Sequence, residues 1–297
     1  MRGCPIKTTG QTRTGGWSPA DKAAKPQADS EYPLGANTLR HLYTYMLKWR
    51  MVDEQARTVL KLRKRLTGSE AVLVGATIGL RHDDHIAALE HGFIANIVRS
   101  RPLEQLFAEI RPGRQKRAGQ RRDPRSATIT PGAEFSIATG VALGFQIQKK
   151  HNVVIALALR SAGSPDFWHE PATFAGAHKL PIVFVVHARS EPSRLNSRAA
   201  DLSAQAEKLG LPGIPVDAND AVALYRVAHE AIDRARRGAG PALIECKTWT
   251  RGRTDDPIAH MQQYLQWKRL WSEDWGRQIA EGIRREIEDA LRGRRSR

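Results

Sequence analysis

The chain has 297 residues, a hydrophobic fraction of 41% and a formal net charge of +16, which allows one large α/β domain or two small ones with a substantial core. No apolar run approaches the roughly 20 residues that a membrane-spanning helix needs, and Cys4 and Cys246 alone give neither a disulfide framework nor a metal-ligand spacing. Membrane-spanning, disulfide-stapled and cysteine-metal classes are therefore set aside, and a reducing cytoplasm is the expected compartment.

From Met1 to about Ser30 the chain is rich in Gly, Thr, Lys and Pro and lacks the apolar core of a signal peptide. It reads as a disordered basic leader (1–30) ahead of one folded domain (31–297). Thr38 to Leu66 predicts a long helix with Leu39, Leu42, Tyr43, Met46 and Leu47 on one face. Gly68 to Leu80 predicts a helix of small residues suited to close packing, and Leu103 to Ile110 a short amphipathic one. Next comes the densest basic cluster, Arg111, Arg114, Lys116, Arg117, Arg121, Arg122 and Arg125, opposed only by Asp123. Gly and Pro interrupt it, so a loop is expected. It is either a solvated run or a patch for nucleic acid, a phosphorylated ligand or an acidic partner. No aromatics interleave with the arginines, which argues against a single-strand stacking platform.

Glu134 to Gln148 predicts a helix in which Ala138, Gly140, Ala142 and Gly144 offer a close-approach face. Val153 to Leu159 is a continuous apolar strand, Phe167 to His178 a helix, and Ile182 to Val186 a second apolar strand. This spacing reads as a parallel βαβ unit. Both of its strands end on one edge of the sheet, where open α/β folds bind ligands, and Arg160 and Arg189 fall just past those ends. An anion is expected there. Glu170 suits the first turn of the crossover helix through the macrodipole alone. Helices over Leu202–Leu209 and Asp220–Arg237, the latter capped by Asn219 or Asp220, a strand over Pro241–Cys246 and a helical tail over Ile258–Leu291 complete the chain. The fold class expected is α/β, a parallel sheet flanked by helices.

From about residue 38 to 291 the chain resembles the α subunit of thiamine-diphosphate-dependent 2-oxo acid dehydrogenase E1 components. The matching motifs are Gly68-Ser69-Glu70-Ala71-Val72-Leu73-Val74-Gly75, Asp83-Asp84, His91-Gly92 and His169-Glu170. Further on they are Lys179-Leu180-Pro181-Ile182-Val183-Phe184-Val185, Leu211-Pro212-Gly213-Ile214-Pro215-Val216-Asp217, Asn219-Asp220, Gly240-Pro241-Ala242-Leu243-Ile244-Glu245-Cys246 and Asp256-Pro257. The resemblance implies a thiamine-diphosphate-binding fold and an E1 β-type partner in a heterotetramer. If the assembly is active, it also implies a lipoyl-bearing E2 acceptor. Pyruvate, branched-chain and acetoin enzymes share these motifs.

The departures fall on the chemistry. Where the family ends its first strand in Gly-Asp-Gly, with the Asp on Mg²⁺, this chain has Leu159-Arg160-Ser161, and the companion Asn position about 30 residues on matches Ala188 or Arg189. A further family asparagine falls on Ser164, and the Tyr-Arg pair before His91 becomes Ala88-Leu89. The late regulatory loop reads Arg251-Gly252-Arg253-Thr254. Oxygen ligands for Mg²⁺ are hard to assemble from this set. The leading expectation is therefore an E1 α-like pseudo-subunit. An alternative is an active half-site in which Arg160 and Arg189, with Ser161, form a metal-free diphosphate clamp, Glu134 lies against it and His91 acts near the cofactor. A third is a reused scaffold that binds nucleic acid or another polyanion. Trp168, Trp267 and Trp271 are candidates for partner contacts or core.

Overall fold

The computed structural model describes residues 34–60, 68–88, 97, 101–110, 133–160, 167–189, 201–248 and 256–293, whose elements fall within one compact unit, Ala36–Arg297. The leader, the basic segment 111–125, His91, Ser161, Ser164 and the Arg251–Thr254 loop lie outside the described residues.

The fold is built on a five-stranded, all-parallel sheet in the order β1-β2-β3-β5-β4. The strands are β1 (His85–Ala87), β2 (Val154–Arg160), β3 (Ile182–Arg189), β4 (Gly213–Asp217) and β5 (Ala242–Thr248). Strands β2 and β3 are apolar on both faces because both are covered. On one face α4 (Ala133–Ile147), α5 (His169–Ala177) and α6 (Leu202–Lys208) bury Phe135, Ala138, Trp168, Ala172 and Leu202 against Val154, Ala156, Ile182, Phe184 and Leu243. On the other lie α2 (Glu70–Thr77) and α7 (Ala221–Arg236). An outer layer of α1 (Ala36–Leu60), α3 (Leu103–Ile110), α8 (Pro257–Trp267) and α9 (Glu273–Arg292) packs beyond them. Each large side chain fully buried in this way, such as Phe184 or Trp49, contributes about 1.5–3 kcal/mol. The predicted α/β class with a parallel, helix-flanked sheet is the fold observed.

The expected close packing of α2 is real. A Cβ on Gly75 would stand 2.9 Å from the Leu224 Cβ and 3.1 Å from the Ala221 carbonyl, so α2 and α7 meet backbone to backbone. The small residues of α4 divide differently from expectation. Ala138 and Ala142 are buried, whereas a Cβ on Gly140 or Gly144 would meet nothing within 4 Å. Positions two apart on a helix lie nearly opposite each other, so these four residues form two faces.

Further details differ from expectation. Arg160 and Arg189 are the last residues of β2 and β3 rather than residues beyond them. The tail is two helices, because Arg269 turns left-handed (φ 56°) after α8 and Ser272 caps α9 by accepting from the Trp275 N–H. Strands β1 and β4 were not anticipated: β1 has three residues and β4 carries Pro215, leaving no apolar run to read. Trp168 is core, at 1% exposure, while Trp267 is 52% exposed. Cys246 is buried as expected, and its apolar surroundings, with Glu245 adding repulsion, push its thiol pKa up. Among the described residues no helix is long and apolar enough to cross a membrane.

Candidate functional site

All strands of a parallel sheet finish on one edge, and here β2 and β3 both finish there in arginine. Residue Arg160 ends β2 in register with Ala188, and Arg189 ends β3 in register with Thr248. The two arginine positions therefore close neighbouring strands, with Arg189 one residue farther along. Glu134 sits in the first turn of α4, which packs on β2, and is buried to 9% exposure. His169 and Glu170 open the crossover helix α5, as the sequence implies, and both are exposed.

Behind this edge runs a chain of hydroxyls and imidazole that the sequence analysis missed. The His187 ring is buried, with Nδ1 3.2 Å from the Ser69 Oγ and Nε2 2.7 Å from the Thr248 Oγ1. It links the turn before α2 to the ends of β3 and β5. A histidine closing a run of Val and Phe was the available signal, because a polar ring on a buried strand must find partners.

Next to Ser69, Glu70 is 1% exposed. Its Oε1 accepts from the Arg50 Nε at 2.8 Å and its Oε2 from the Gly68 N–H at 2.7 Å. Both terminal nitrogens of Arg50 donate to Asp256, at 2.7 Å each. Burial works against charge at both ends of that pair. Even so, the hydrogen bonds Arg50 donates to Asp256 and Glu70 hold its guanidinium above its ordinary pKa, and Arg50 with the Ile258 N–H holds Asp256 below the usual carboxylate range.

On the opposite face of β5, Glu245 is 3% exposed, accepts from the Ser203 N–H at 3.1 Å and lies 3.3 Å from the Lys247 Nζ. Lys247 also reaches Asp201 at 3.4 Å. Asp201 caps α6, and hydrogen bonds from the Ser203 hydroxyl and the Ala204 N–H bring its pKa down to about 2.

These groups are internally paired, and among the described residues no cluster of three or more His, Cys, Asp or Glu side chains could hold a metal ion. At the strand ends where a Mg²⁺ site would need oxygen ligands, Arg160, Ala188 and Arg189 supply none, and a guanidinium repels the ion. At the start of α5, the buried Trp168 Nε1 has no acceptor among the described residues, and its N-cap residue makes no side-chain capping bond.

A model of the family described as dehydrogenase E1 component matches residues 39–253. The pyruvate dehydrogenase E1 component subunit alpha of Staphylococcus aureus (strain Mu50) is 29% identical over 281 residues, covering 85% of this chain and 75% of that protein. The subunit of the same name from Staphylococcus epidermidis (strain RP62A) matches with the same identity and coverage. Among solved structures, a protein from Mycobacterium smegmatis described as a thiamin diphosphate-dependent enzyme aligns with a TM-score of 0.39 and 18% identity. That alignment covers 62% of this chain, which spans about a third (32%) of the other.

Proposed function

Since the chain belongs to the dehydrogenase E1 component family, we propose that it acts as an α-type pseudo-subunit, paired with a β-type chain in a heterotetramer and without a working metal–diphosphate site. The observation that carries this reading is the pair of strand ends. Arg160 and Arg189 close β2 and β3 side by side, where the resemblance sets Arg160 against the family's metal-binding Asp and either Ala188 or Arg189 against its Asn. In an active member, thiamine diphosphate would supply the carbanion-stabilising chemistry of 2-oxo acid decarboxylation. The chain's own residues would only bind and orient it.

Pairing is supported by an open helix face. Ile137 and Ile147 of α4 are 47% and 72% exposed, and Phe174 of α5 is 42% exposed. Between them Gly140 and Gly144 leave α4 bare, so another helix could approach its backbone closely. Removing this apolar surface from water on pairing is favourable.

A second reading rests on the same strand ends. Two arginines can offset diphosphate charge where a metal and its carboxylate otherwise would, and bidentate forks suit phosphate oxygens. In that case Arg160 and Arg189 bind the cofactor without metal. Co-purification with a β-type chain and a 2-oxo acid decarboxylation assay with an artificial electron acceptor test the first reading. It predicts a stable assembly without turnover; metal-dependent turnover overturns it.

A further inference from the structure

The opposite edge of the sheet, where the strands begin, carries a line of exposed cations. Arg81 precedes β1, Lys149 and Lys150 precede β2, Lys179 precedes β3 and Arg237 precedes β5. These four strands are consecutive neighbours in the sheet. All five cations are exposed, and no carboxylate among the described residues pairs with any of them. His151 and His178 stand exposed between them. Asp83 is the exposed carboxylate within these turns, while Asp84 is buried and already held by Arg236 at 2.7 Å.

The turns are fixed to one another, so the line is a surface rather than separate tips. Arg236 donates to the His151 carbonyl at 2.7 Å as well as to Asp84. The Asn152 amide donates to the Asp83 carbonyl at 2.7 Å and the Gln146 amide to the His178 carbonyl at 2.9 Å. An added Cβ on Gly240 would lie 3.5 Å from the Lys179 Cα.

Two of the lysines sit in a conformation that disfavours any side chain. Lys149 (φ 54°) and Lys179 (φ 50°) are left-handed residues ending α4 and α5. The same hydrogen-bonded turn ends α6 at Gly210 (φ 78°) and α7 at Gly238 (φ 79°), so the turn itself has no need of lysine. Cations do favour helix carboxyl ends through the macrodipole, and Arg269 ends α8 in the same way. Lys150 and Arg81 hold no left-handed position, yet they extend the same line.

We propose that this amino-terminal edge of the sheet is a docking surface for an acidic segment of a partner protein. Neighbouring strands are about 4.8 Å apart, so the four strand starts span about 15 Å. That length fits four or five extended residues. It is short for a DNA duplex, whose proteins engage on the order of 6–10 phosphates. The surface lies at the opposite ends of the strands from Arg160 and Arg189, so an acidic segment bound there leaves the candidate site open.

The test uses the full-length chain and two fluorescent probes, an octaglutamate peptide and a 20-base-pair DNA duplex. Lys149→Glu/Lys150→Glu/Lys179→Glu is compared with Arg277→Glu/Arg284→Glu/Arg285→Glu on exposed α9, which makes the same change in net charge. The expected result is at least a tenfold loss of peptide affinity in the first variant and less than a threefold loss in the second. Equal losses in both, no peptide binding by the wild type, or a loss confined to the duplex would overturn the proposal. Lys149→Gly/Lys179→Gly separates docking from helix-end stabilisation. Docking predicts weaker peptide binding with an unchanged or higher Tm, whereas a lower Tm with unchanged binding assigns the lysines to the helix ends and overturns it.

Discussion

Arg50 holds Asp256 with two hydrogen bonds of 2.7 Å across 206 residues of sequence. With Glu70 at its Nε and Ser69 bonded through His187 to Thr248, this contact ties two points of the chain, Thr248 and Asp256, to consecutive residues at the start of α2. The end of β5 and the start of α8 are thus positioned from one turn, close behind the strand ends that carry the candidate site.

Replacing Arg50 with alanine leaves Glu70 buried without its counter-charge. A loss of about 3 kcal/mol is expected, at the low end for one-partner removal because Asp256 is 43% exposed. Chemical denaturation measures it. Arg50→Lys should recover only part, since an ammonium cannot span both carboxylates as a fork does.

His187→Ala removes a buried ring and strands the Ser69 and Thr248 hydroxyls. Cavity and lost hydrogen bonds together predict about 3 kcal/mol of destabilisation. Ser69→Ala, which removes one contact, should cost about 1 kcal/mol. Equal effects of the two variants in thermal unfolding would contradict a chain centred on the imidazole.

Acid should unfold the protein partly through Asp201. Its folded pKa, about 2, lies below the ordinary carboxylate value. Its stabilising contribution is therefore complete above about pH 4 and lost as pH falls toward 2. Asp201→Asn keeps the helix cap but removes the titration, so its stability should fall less steeply between pH 4 and 2 than that of the wild type. A matching slope would count against this assignment.

Glycines separate folding from pairing. Gly213→Ala would drive a Cβ to 1.9 Å from the Ser203 carbonyl, which predicts a loss of about 3 kcal/mol or more. Gly140→Ala and Gly144→Ala meet open space and should stabilise the isolated chain by about 0.5–1 kcal/mol each. If α4 is the pairing face, the same two substitutions weaken association with a β-type chain in sedimentation experiments. Unchanged association would move the interface elsewhere.

The sheet's centre was legible because β2 and β3 are uninterrupted apolar runs and the Lys179-Leu180-Pro181 turn marks the βαβ register. The edge strands were not, because three residues around His85 and five around Pro215 carry no periodic signal. The break between α8 and α9 was hidden by a left-handed arginine where a glycine would have announced it. Arg160 and Arg189 were expected just past the strand ends and instead finish β2 and β3. The roles of Arg50, His187 and Asp256 could not be read from the sequence, since partners separated by 20 to 206 residues meet only in the fold.

Calorimetric titration of thiamine diphosphate into the chain assembled with a β-type partner, with Mg²⁺ and with a chelator, tests the replacement of metal by arginine most directly. No binding that depends on Mg²⁺ is predicted. Binding that ignores the chelator and disappears in Arg160→Ala/Arg189→Ala would select the arginine clamp over the pseudo-subunit. Micromolar binding that requires Mg²⁺ and survives both substitutions would contradict the account.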